Sequence, residues 1–154
     1  MEFLNSLKKR LKHYTSPFSH WELNQPLTDD EQSKVDTFRG GREVSIENIS
    51  RMREDGVNLV CGSDSAWNYY NMGEFQKEIL THVEIGMSAA EAIRSATIES
   101  ARSCGVDNIV GTLEQGKQAD LLVVDGDPVE NITDIFNVVD VFQSGNLVDR
   151  NNFI

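Results

Sequence analysis

Residues 53–65 read Arg-Glu-Asp-Gly-Val-Asn-Leu-Val-Cys-Gly-Ser-Asp-Ser. Val57, Leu59 and Val60 form a short apolar run bounded by Gly56 and Gly62, which predicts a buried strand that stops in a turn of small residues. The turn carries one carboxylate, Asp64, just past the strand end, where α/β folds gather their chemistry. Two readings of Asp64 stand at this point. It can be an ordinary turn-forming aspartate, since Gly-Ser-Asp-Ser is common turn composition. It can also be a working carboxylate: a metal ligand, a general base toward a metal-bound water, or an orienting group.

Upstream of the strand, Ser45 has the chemistry to cap a helix over Ile46, Ile49 and Met52, which Gly56 ends in a left-handed conformation. Earlier still, residues 15–44 read as loop-rich. Pro17 and Pro26 interrupt them, Thr28 and Glu31 can cap a short helix, and Gly40-Gly41 breaks it. At the start, Phe3, Leu4, Leu7, Leu11 and Tyr14 recur at spacings of three and four, predicting an amphipathic helix over 2–14. Downstream, Phe75, Ile79 and Val83 mark one face of a helix that stops near Gly86. Ser88 and Glu91 then make a capping-box pair for a helix with a face of Ala89, Ala92, Ile93, Ala96, Ala101 and Cys104, ended by Gly105. After Gly105 the pattern changes to strands at 119–124 and 138–142, punctuated by Gly126, Pro128 and Gly145. An α/β part over 1–106 and a small β-rich part over 107–154 follow from this division.

A chain of 154 residues can bury a core of its own, and its net charge of −11 argues against a nucleic-acid backbone as partner. The basic cluster Lys8, Lys9, Arg10 and Lys12 reads as the solvated face of the first helix or as a contact for an acidic partner. Two cysteines, Cys61 and Cys104, do not make a disulfide framework. With no apolar run of about 18 residues, the expectation is a protein of the cytoplasm that does not span a membrane.

Three further stretches follow residues 53–65 in order: EILTHVEIGMSAAEAIRSATIESARSCGV (78–106), VGTLEQGKQADLLVVDGDPVENI (110–132) and VVDVFQSGNLV (138–148). In order and spacing, residues 45–150 resemble the C-terminal part of the metal-dependent amidohydrolase superfamily, in the branch with imidazolonepropionase-like and dipeptidase-like enzymes. The resemblance implies an α/β fold: the C-terminal portion of a (β/α)8 barrel, followed by part of a small β-sandwich. It places residues 53–65 on the eighth barrel strand and matches Asp64 to the catalytic aspartate. In the family that residue faces or binds the metal, takes a proton from the activated water and passes it to the leaving atom. Ser63 and Ser65 read as turn formers beside it. Trp67, Tyr69 and Tyr70 fall on a loop at the barrel mouth, where Trp67 is a candidate substrate contact and loop packing is the other reading. Gly116, Lys117, Ala119 and Asp120 match a family motif that belongs to folding, and Asp120, Asp125 and Asp127 read as turn and strand-end residues rather than a second site. The implied cofactor is a divalent metal, zinc first. The implied substrate is a small molecule with a carbon–nitrogen bond, cyclic-amide or dipeptide-like.

The family's remaining metal ligands include a His-x-His pair. The three histidines, His13, His20 and His82, form no such pair, and each reads as structural or solvated. A catalytic zinc site takes three protein ligands and an open position. The sequence alone therefore predicts a weak metal site in the isolated chain, and a barrel completed by an N-terminal half or through a homo-oligomer. The alternative is a non-catalytic scaffold or interaction module that keeps the family fold without the metal site.

Overall fold

In the computed structural model, residues 29–62, 73 and 75–150 are described. The helix expected at 2–14, the prolines Pro17 and Pro26, and Thr28 lie outside them. The chain divides into two compact units, Met1–Met87 and Ser88–Ile154.

Among the described residues, the first unit begins with α1, Asp29–Glu54, a continuous helix of 26 residues. It corrects two expectations from sequence: Gly40-Gly41 does not break it, and Ser45 lies inside it rather than capping it. A glycine costs a helix only about 1 kcal/mol relative to alanine, and propagation through established turns carries that cost where nucleation would not. The Ser45 hydroxyl donates to the Gly41 carbonyl at 2.9 Å, one turn back, and Ser50 does the same to Ile46 at 2.8 Å. These hydroxyls decorate a running helix instead of starting one. Arg51 and Arg53 in the last turn suit its negative dipole end.

Gly56 ends α1 as expected. Its φ is +85°, its N–H reaches the Arg53 carbonyl at 2.9 Å, and the Val57 N–H reaches Met52 at 3.0 Å. That pair of bonds closes the last carbonyls in a Schellman motif and fixes the direction in which the chain leaves the helix. The following stretch, 57–62, is not a strand, which corrects the sequence expectation. Leu59 and Cys61 are half-buried while Val60 and Gly62 are exposed, so the period of two persists. A strand is defined by its neighbours, however, and a parallel one needs them on its flanks. Among the described residues, 57–62 has no ladder partner.

Helix α2, Gln76–Glu84, buries Ile79, Leu80 and Val83, with Ile85 buried just beyond. Phe75 occupies the N-cap position and is exposed, so it does not share the buried face; Leu80, at 1% exposure, holds the centre instead. Gly86 and Met87 repeat the closure seen after α1, with N–H bonds to Val83 and His82, each at 3.1 Å. The end of α2 lies beside the last turns of α1: the Ser50 hydroxyl is 3.3 Å from the Ile85 carbonyl, and a Cβ on Gly86 would lie 3.7 Å from Arg53 Nη1.

In the second unit, Ser88 caps α3, Ala89–Ser95, through the expected capping box. Its hydroxyl accepts the Glu91 N–H at 3.2 Å, and the Glu91 carboxylate accepts the Ser88 N–H at 2.8 Å. The single helix read from sequence is two: α3, then α4, Ile98–Ser103. Thr97 breaks it, with φ −121° and ψ −97°. Three hydroxyls hold carbonyls around the break: Ser95 on Ala92 at 2.7 Å, Thr97 on Ile93 at 2.8 Å and Ser100 on Ser95 at 2.7 Å. Such bonds compete with the helix ladder and bend it. The buried face becomes Ala92, Ser95, Ile98 and Ala101, and Cys104, expected on that face, is exposed.

Three antiparallel strands follow in the order β1-β2-β3: Leu121–Val124, Val138–Gln143 and Asn146–Leu147. Leu121 pairs with Phe142 and Leu122 with Val141, with an irregularity between Val123 and Val124. Ser144 and Gly145 take positive φ, 51° and 79°, as a two-residue hairpin turn requires. A 3-10 turn at Ile132–Phe136 links β1 to β2 and buries Ile132 and Ile135.

Candidate functional site

Asp64 and Trp67 lie outside the described residues, as do Ser63, Ser65, Tyr69, Tyr70, His13 and His20. What is described is how the chain reaches them. The Schellman closure at Gly56 ends α1 immediately before 57–62, and the Ser50 and Arg53 contacts seat α1 against the end of α2, the helix that begins after the Asp64 stretch.

His82 is the one histidine among the described residues. It projects from α2 and is buried, and burial pushes its pKa below the ordinary imidazole value, so the neutral ring is favoured. Glu99 sits between two guanidiniums, 2.8 Å from Arg102 and 3.2 Å from Arg94. Desolvation raises its carboxyl, but the hydrogen bonds and charges of Arg102 and then Arg94 outweigh that, leaving the pKa below the ordinary range.

Asp120, Asp127 and Asp134 serve the turns of the β-rich part. One Asp120 oxygen accepts the Ser144 N–H at 2.8 Å and the other accepts Gln118 Nε2 at 2.8 Å, tying the start of β1 to the β2–β3 turn. Lys117 donates to the Thr112 hydroxyl at 2.6 Å and pairs with Glu114 at 3.7 Å. The Gly-Lys-x-Ala-Asp stretch is thus a local brace, as its folding reading anticipated. Asp127 accepts the Val129 N–H at 2.9 Å, closing an Asx turn over Pro128. The sequence reading missed Asp134, which organises this loop: its carboxylate accepts the Asp127 N–H at 3.0 Å and Asn131 Nδ2 at 2.7 Å. The three-residue spacing of Asn131 and Asp134 across a turn was the available signal.

Among the described residues, no group of three or more His, Cys, Asp or Glu side chains could hold a metal ion. Asp120, Asp127, Asp134 and Glu99 are committed to backbone N–H groups, side-chain amides or arginines, and His82 is buried on a helix. The described residues therefore do not fit a resident metal, and no chemical step is assigned to one through them. Nor is any helix among them long and apolar enough to cross a membrane.

The architecture has relatives. Residues 8–148 match the amidohydrolase family, and the chain belongs to that family. It is 33% identical over 98 residues to an imidazolonepropionase of Thermoplasma volcanium, covering 62% of this chain and 24% of the relative. It is 34% identical over 86 residues to a 5-methylthioadenosine/S-adenosylhomocysteine deaminase of Saccharophagus degradans, covering 50% and 19%. Among solved structures, a Xaa-Pro dipeptidase with methionine bound in its active site superposes with a TM-score of 0.67 at 27% identity, over 90% of this chain and 33% of that one. A molinate hydrolase gives a TM-score of 0.61 at 28% identity, over 67% and 26%. The chain thus spans a quarter or less of these two curated relatives and up to a third of these structures.

Proposed function

We propose that the chain is the C-terminal portion of a metal-dependent hydrolase that cleaves carbon–nitrogen bonds in small molecules. In this reading residues 1–106 belong to a (β/α)8 barrel, with 57–61 as its last strand, and residues 107–154 belong to a small β-sandwich. The observation that carries it is the family match across residues 8–148, a span that includes both the Cys-Gly-Ser-Asp-Ser stretch and the braced Gly-Lys-x-Ala-Asp stretch. The exposure of Val57 and Val60 is compatible with it, because residues three apart on a barrel strand fall on opposite faces, one toward the interior and one toward the surrounding helices, and both faces are covered in a closed barrel.

Asp64 is the proton-transfer residue of this proposal. A carboxylate at a strand end takes a proton from the attacking water as it adds to the carbonyl or amidine carbon, then gives that proton to the leaving nitrogen as the carbon–nitrogen bond breaks. Trp67 supplies a wall for the substrate. A divalent metal, zinc first, completes the site, and its histidine ligands come from barrel strands outside the described residues, on an N-terminal half of the barrel. The metal's place in the reaction is left to those ligands.

The test is reconstitution. The chain is purified alone and co-expressed with the N-terminal barrel portion of the Xaa-Pro dipeptidase relative, and both preparations are assayed for bound zinc and for hydrolysis of dipeptides and cyclic amides. The proposal expects bound metal and turnover in the assembly, with at most weak binding by the chain alone. Stable assembly with neither metal nor hydrolysis would instead favour a non-catalytic scaffold.

A further inference from the structure

We draw no further inference here: the strongest candidate, the exposed apolar surface of the three-stranded sheet formed by Leu122 and Val139 on one face and Val123 and Leu147 on the other, carries nothing because nothing in the structure shows what covers it.

Discussion

Replacing Gly126 by alanine tests whether Asp134 organises the loop between β1 and β2. Gly126 has a φ of +110°, and a Cβ there would lie 2.4 Å from Asp134 Oδ2, 2.7 Å from its Cγ and 2.9 Å from its Cβ. The backbone term alone costs about 1–2 kcal/mol for an L residue. The steric term forces the Asp134 side chain away, breaking its bonds to the Asp127 N–H and Asn131 Nδ2. Each is worth about 1 kcal/mol net, toward the lower end because the loop is open to water. The sum is about 3 kcal/mol. Urea unfolding followed by far-ultraviolet circular dichroism reads it directly. In a double-mutant cycle, Asp134→Ala alone should cost about 1–2 kcal/mol. Added to that background, Gly126→Ala should cost its backbone term and the remaining contact with the Cβ of residue 134, leaving a coupling of about 1 kcal/mol between the sites. A Gly126→Ala penalty below about 0.5 kcal/mol, or strict additivity in the cycle, would refute the reasoning.

Other perturbations separate the remaining claims. Ser88→Ala removes the hydroxyl that accepts the Glu91 N–H but keeps the backbone N–H that donates to the Glu91 carboxylate; it should destabilise the second unit by about 1 kcal/mol, with faster hydrogen exchange at Glu91, and unchanged exchange would show that the hydroxyl contributes nothing. Gly111→Ala sets a Cβ 2.8 Å from Ala101 Cβ at a φ of +97°, so it should cost about 2–3 kcal/mol by strain and overpacking, whereas Ser103→Ala on the exposed side of α4 should be nearly neutral in the same melt. His82 gives a pH signature. Its folded pKa lies below the ordinary imidazole value because burial opposes the charged ring, so the unfolded chain binds the extra proton. Its contribution is therefore fully present above about pH 6.5 and lost as pH falls from there through the folded pKa. Stability measured between about pH 7.5 and 5.5 should decline toward acid, and His82→Leu should flatten that decline; an unaltered slope in the variant would assign it elsewhere.

Local chemistry was legible in the sequence wherever one or two residues decide the outcome. Gly56, Gly86 and Gly105 each end a helix, because a positive φ there lets two N–H groups turn back onto the last carbonyls. Ser88 and Glu91 likewise find each other across three residues without help from the rest of the fold. The errors arose where several local preferences compete. Gly40-Gly41 reads as a breaker, but the turns on either side propagate through it. Thr97 lies inside a good helical pattern, yet its hydroxyl and those of Ser95 and Ser100 redirect the backbone. The strand read at 57–61 shows a third limit: its apolar run is local, but a ladder depends on distant residues, and none of the described ones provides it. The Asp134 hub was hidden because its role depends on the loop path that brings it back over Gly126. The roles proposed for Asp64 and Trp67 rest only on ordered resemblance along the chain, since one carboxylate and one indole define no site by spacing alone.

The most direct measurement of the central claim is the kcat/KM of the reconstituted assembly carrying Asp64→Asn, compared with the unsubstituted assembly on the same substrate and with metal content measured in both. The asparagine keeps the shape and removes the proton acceptor. The account predicts a loss of about 100- to 10,000-fold, the range of a positioned general acid–base group, in an assembly that still forms. An Asp64→Asn assembly that hydrolyses the substrate at the unsubstituted rate would contradict it.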